Sequence, residues 1–145
     1  MNIIKSFEDT FNRAKDKNWN TIYILVDIHD TIFKACWENE EKYEYFPFAK
    51  ECLQELTKCR PFIKMILWSS SHQEKLYDYR EKLKEDNIIF EYINSNPEVD
   101  DTKLASFKYK FYFNIGIDNA FGFEAEKDWK VIYDYLIKLT NLKNI

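Results

Sequence analysis

Apolar positions along this chain follow two rhythms. One recurs every three or four residues, and the other is nearly continuous over short runs. Over residues 3–17, Ile4, Phe7, Phe11 and Ala14 recur at helical spacing with charges between them, which predicts an amphipathic helix. The stretch 21-TIYILVD-27 is almost uninterrupted in β-branched and aromatic residues, the pattern of a strand covered on both faces. Residues 34–45 are polar and irregular. Pro47 then opens a helical pattern that runs to Cys59, with Phe48, Cys52 and Leu56 on one stripe, and Pro61 stops it. A second buried strand is predicted at 62-FIKMILW-68. The serines that follow, Ser69, Ser70 and Ser71, are N-cap candidates for a helix over 72–86 carried by Leu76, Tyr79 and Leu83. A short strand at 88–93, a turn-rich segment at 94–102 and a strand at 111–117 come next. A last helix spans about 126–140, with Trp129, Ile132, Tyr133, Leu136 and Leu139 as its buried stripe.

Mostly alternating strands and helices predict an α/β fold: a Rossmann-like three-layer sandwich with a mostly parallel central sheet and helices on both faces. Ligands bind such sheets beyond the carboxyl ends of the strands. Here those ends carry Asp27, Ser69 and Asp118.

Length and composition narrow this further. At 145 residues the chain predicts one domain, 1–145, with the first 18 residues forming a helix packed on it. It is 46% apolar and 32% charged, which reads as globular. Only 2 glycines are present, so neither glycine-rich phosphate loop can be written. A net charge of -4 without a long basic run disfavours a dedicated nucleic-acid binder. Cys36, Cys52 and Cys59 show no metal-type spacing and read as free thiols of a reducing compartment. The first residues lack a secretory pattern, and no apolar run approaches membrane-spanning length, so a cytoplasmic protein is expected.

In order along the chain stand Asp27-Ile28-His29-Asp30-Thr31, then Ser69, then Lys110, then Asp118-Asn119. This set resembles the haloacid dehalogenase superfamily of aspartate-nucleophile phosphatases, over residues 21 to about 130. The first family motif is a strand followed by DxDxT. The second is a serine or threonine at a strand end, the third a lysine, and the fourth an acidic pair after a strand. Any one is weakly specific; four in order, each on the expected element, are more so.

The resemblance implies a reaction. Asp27 attacks phosphorus to give an aspartyl-phosphate, which water then cleaves. Mg²⁺ is the implied cofactor, since it takes one or two carboxylates and keeps waters. Its implied ligands are Asp27, the backbone carbonyl of His29, and Asp118 or Asn119. An Asp–Asn pair occurs at this place in some active relatives. Thr31, Ser69 and Lys110 are the implied phosphate-binding residues, with Ser70 competing with Ser69 and Lys108 with Lys110. The implied partner is a phosphorylated substrate, either a small molecule or an exposed phosphate on a macromolecule. No segment is long enough for a cap domain, as in members that act on large substrates. The aromatic-rich 37-WENEEKYEYF-46 is a candidate lining of the open site.

The sequence departs from the family at His29, which stands where the family has its acid–base aspartate. Imidazole can do both jobs near neutral pH. The alternatives are a plain hydrogen-bonding histidine and a degenerate module that binds phosphate or a partner without turnover. Asp30 replaces the usual glycine, and aspartate tolerates the left-handed backbone that such a turn requires. A receiver-like signalling domain shares an Asp–Thr/Ser–Lys set, but needs its acidic pair after the first strand.

Overall fold

The structure, a computed structural model, describes residues 2–34 and 43–143. Helix α1 (Ile3–Lys17) leads into β1 (Ile22–Asp27), α2 (Ala49–Lys58), β2 (Ile63–Trp68) and α3 (Gln73–Glu85). Strands β3 (Tyr92–Ile93) and β4 (Ile115–Ile117), a 3-10 turn (Asn119–Phe121) and α4 (Asp128–Lys143) complete it. Each end of α1 is finished as its residues dictate: Asn2 Oδ1 accepts the Lys5 N–H, and Asn18 closes the helix in the left-handed conformation.

The four strands run parallel in the order β3-β2-β1-β4. Strand β1 is therefore central, which explains why Ile22 to Val26 are all buried. Ile22, Ile24 and Val26 share one core with all four helices, through Phe7 of α1, Leu53 of α2, Leu83 of α3 and Trp129 of α4. The alternate residues Tyr23 and Leu25, with Ile66 of β2, face the other way and are packed by Tyr92, Val99, Phe111, Tyr112 and Phe113.

The three-layer α/β arrangement with a parallel central sheet is the expected one, but the expectation of helices on both faces is corrected. The helices gather on one face, and the crossover from β3 to β4 forms the other layer without a helix. Asn94, Asn96, Pro97, Asp100 and Asp101 along that crossover favour turns. Glu98 pins it to the sheet by accepting from Lys64 and from the Tyr23 and Tyr92 hydroxyls.

Several boundaries differ from expectation. The strand expected at 88–93 shrinks to two residues because Ile88 and Phe90 turn into the core instead of pairing. The strand expected at 111–117 begins only at Ile115, since Phe111 to Phe113 fold over the sheet. Asn114 makes the transition: its N–H donates to the Tyr23 carbonyl and its Oδ1 accepts the Tyr23 N–H, both at 2.8 Å. Helix α2 starts two residues after Pro47, behind a left-handed Phe48. The expected serine cap is also corrected: His72 occupies the N-cap position of α3, without a side-chain capping bond.

Cys52 is a buried free thiol and Cys59 an exposed one. Cys36 and most of 37–46 lie outside the described residues. No described helix is long and apolar enough to cross a membrane.

Candidate active site

The β1–β4 register pairs Val26 with Ile117, so Asp27 and Asp118 leave neighbouring strands side by side. On the other side, Asp27 pairs with Trp68, and Ser69 follows. The parallel sheet thereby brings three of the predicted site residues to one edge.

Thr31 ties this edge together. Its side chain is fully buried. Its Oγ1 lies 3.1 Å from Asp27 Oδ2 and 3.4 Å from Asn119 Oδ1, and it accepts the Asn119 N–H at 3.1 Å. Thr31 is expected to hold phosphate; in the structure its hydroxyl is committed to Asp27 and to Asn119. The turn that carries it depends on Asp30, which adopts φ 56°, the left-handed conformation anticipated for this glycine replacement. Below the turn, the buried Trp129 indole N–H donates to the Thr31 carbonyl at 2.7 Å.

Burial pushes the Asp27 carboxyl up from 3.8 to about 6, with the Asp118 carboxylate the next largest cause. The hydrogen bonds from Thr31 and from the Ile28 backbone oppose the rise, and Asp30 adds slightly to it. Asp118 is itself buried, and its Oδ1 accepts the Ala120 N–H at 2.8 Å, which caps the short 3-10 turn.

Ser69 is half-buried and Ser70 exposed. The Ser69 hydroxyl donates to Ser71 Oγ at 3.2 Å and accepts the Ser71 N–H at 3.1 Å. Its backbone is clamped by Asn94, a residue that sequence reasoning placed only in a turn.

His29 points to α3, where its Nε2 lies 2.9 Å from Tyr79 Oη with the rings edge to face. Tyr79 also meets Phe33 and Tyr43 in an aromatic cluster. The sequence signalled Tyr79 only as a member of a buried helical stripe. Among the described residues the His29 carbonyl accepts no hydrogen bond.

Lys110 forms no ion pair with this group among the described residues. It is exposed, and its ammonium lies 6.0 Å from the Phe113 ring centroid. Its competitor Lys108 lies over Tyr109. Neither forms an ion pair with Asp27 or Asp118 among the described residues, although Phe111 to Phe113 cover the face of Tyr23 and Leu25, toward which Asp27 also alternates.

The oxygen donors suit a hard cation. Two carboxylates stand at adjacent strand ends, and one raises the proton affinity of the other. Among the described residues no group of three or more histidine, cysteine or acidic side chains gathers. Mg²⁺ does not need one, since it binds through one or two carboxylates and keeps several waters.

No protein-family model matches the chain, and no curated protein matches it. A solved structure of a conserved protein from Bacteroides thetaiotaomicron is similar, with 26% identity and a TM-score of 0.62 over 82% of this chain and 92% of that one.

Proposed function

We propose that this chain is a Mg²⁺-dependent phosphomonoester hydrolase or phosphotransferase working through an aspartyl-phosphate on Asp27. The observation that carries this reading is the adjacency of Asp27 and Asp118 at the carboxyl edge of the sheet, with Asp27 raised to about 6 by burial and by that neighbour. An arrangement that is unfavourable for the empty protein is favourable once a cation and a phosphoryl group are bound. Asp27, the His29 carbonyl, and Asp118 or Asn119 would hold Mg²⁺, which supplies charge neutralisation as two anionic oxygens approach.

The residues act in sequence. Asp27, fixed by the Thr31 hydroxyl, forms the bond to phosphorus. His29 gives a proton to the leaving oxygen and then takes one from the water that cleaves the acyl-phosphate. The Ser69 hydroxyl, rotated away from Ser71, donates to a phosphoryl oxygen. The open carboxyl edge suits a phosphorylated small molecule or an exposed phosphate on a larger one.

A second reading is a degenerate module that binds phosphate or a partner without turnover. It is favoured by Lys110, which pairs with neither carboxylate among the described residues, and by the turn of His29 toward Tyr79. Hydrolysis of p-nitrophenyl phosphate separates the two. The first reading expects turnover that EDTA abolishes and Asp27→Asn removes. Its absence in the wild type, with inorganic phosphate still binding, favours the second.

A further inference from the structure

A row of aromatic rings crosses the face of the sheet on which Asp27 ends. Alternate side chains of an extended strand share a face, so Asp27 lies on the side of Tyr23 and Leu25. Trp68 is its register partner on β2 and shares that side with Ile66, one strand spacing of about 4.8 Å away. The Trp68 ring meets Phe111 edge to face at 5.5 Å, and Phe111 meets Phe113 at 6.1 Å. Phe121 closes the row from the β4 side. Gly116 is the register partner of Leu25, and a Cβ there would stand 3.0 Å from Phe121 Cε2 and 3.5 Å from Phe113 Cε2. The Phe121 ring thus fills the space that Gly116 leaves, beside Phe113. Because β1 lies between β2 and β4, the row spans the end of β1.

Core packing accounts for only part of this row. Phe111 and Phe113 are half-buried against Tyr23, Leu25 and Ile66. Trp68 and Phe121 are not: they are 37% and 49% exposed. Contiguous exposed rings beside a polar site are the mark of a ligand surface. Lys110 adds a cation to the same row, its ammonium 6.0 Å from the Phe113 ring centroid.

We propose that Trp68 determines specificity for the leaving group: its exposed ring, braced by Phe111, stacks on the base of a nucleoside monophosphate whose phosphate lies at Asp27. This rests on the phosphatase reading and names its substrate class. The reaction takes up one water and releases the nucleoside and inorganic phosphate.

The geometry selects this class. An exposed indole stacks on a flat π-face and gains little from a sugar or an alkyl chain. The ring of an aryl phosphate is bonded to the ester oxygen and is held over Asp27 itself. A base set off from phosphorus by a sugar reaches the ring of the neighbouring strand. The net charge of -4 disfavours a polymer of phosphates, so the occupant is a single nucleotide. Stacking reads no base edge, so purine and pyrimidine nucleotides are both accepted.

The test compares adenosine 5′-monophosphate with ribose 5-phosphate, which carries the same ester on the same sugar without the base. For the full chain with Mg²⁺, kcat/KM is expected to be about tenfold higher for the nucleotide. Trp68→Ala is expected to lower it about tenfold for the nucleotide, and less than about twofold for ribose 5-phosphate and p-nitrophenyl phosphate. Trp68→Phe, which keeps a ring, is expected to retain most of the preference. Damage to the fold lowers all three substrates together, so the ratio isolates the base. Equal use of nucleotide and ribose 5-phosphate by the wild type overturns the inference. So does a preference unchanged in Trp68→Ala, or an equal loss on p-nitrophenyl phosphate with ribose 5-phosphate spared, which assigns the ring to aryl esters. Absence of turnover of all three overturns the phosphatase reading instead. Calorimetric titration with Mg²⁺ then still decides the subsite: tighter binding of the nucleotide, lost in Trp68→Ala, supports it, and equal binding of the two overturns it.

Discussion

Asn94 holds Ser69 by both ends of its amide: Oδ1 accepts the Ser69 N–H at 2.9 Å, and Nδ2 donates to the Ser69 carbonyl at 2.8 Å. This two-point clamp fixes the strand end that carries Ser69, the serine proposed to bind phosphate. Asn94 has φ 51°, so its substitution has two separable costs. Asn94→Gly deletes the clamp but accepts the backbone, and is expected to cost about 1 kcal/mol. Asn94→Ala adds left-handed strain of about 1 kcal/mol more. Urea unfolding of the two variants measures the difference. Both are expected to raise KM for a phosphomonoester, because the serine is no longer held.

Thr31 bears on stability and site together. Thr31→Val removes a fully buried hydroxyl and leaves the Asn119 N–H without its acceptor, for an expected cost of about 1–3 kcal/mol. The same change deletes a bond that holds the Asp27 carboxyl down, so its pKa is expected to rise further above about 6. Carbon-13 NMR of the Asp27 carboxyl reads this directly, and Thr31→Ser, which keeps the hydroxyl, is expected to leave it nearly unchanged.

Asp27 is expected to cost stability at neutral pH. Its folded value lies above its ordinary one, so the folded state binds the proton more tightly. The stability this contributes is present below about pH 4 and is lost as pH rises through about 6. Asp27→Asn is therefore expected to unfold at higher temperature than the wild type at pH 7.5, by about 1 kcal/mol once solvent screening of a half-buried group is allowed for. The advantage is expected to shrink at pH 4. Adding Mg²⁺ is expected to raise the wild-type Tm more than that of Asp27→Asn, because the cation relieves the same repulsion.

Trp129 anchors the motif from below. Trp129→Phe removes the donor to the buried Thr31 carbonyl and leaves space in the core, with an expected loss of about 2–3 kcal/mol. Thermal unfolding checks it, and the Asp27 carboxyl signal is expected to broaden as the turn loosens.

The legible part of the site was the part set by strand ends. A nearly continuous apolar run ending in a polar residue marks a buried strand and its carboxyl edge, so Asp27, Ser69 and Asp118 could be placed together from their order. The left-handed Asp30 was legible for a similar reason, since backbone preference is local. What the sequence concealed depends on long-range packing. Asn94 clamps Ser69 from another strand end, and Tyr79 meets His29 from a helix fifty residues away. Lys110 shows the converse: its spacing before Asp118 fitted the family pattern, yet it is exposed over the Phe113 ring and pairs with neither Asp27 nor Asp118 among the described residues. The serines misled because their hydroxyls bond to one another's turn and leave His72 at the helix start.

The central claim is covalent chemistry at Asp27. Mass spectrometry of protein mixed with Mg²⁺ and excess phosphomonoester, then quenched in acid within milliseconds, tests it most directly. The expected result is one added phosphoryl group on the peptide containing Asp27, absent with EDTA and absent in Asp27→Asn. Steady hydrolysis with no phosphoryl group on that peptide, or the same adduct in Asp27→Asn, would contradict it.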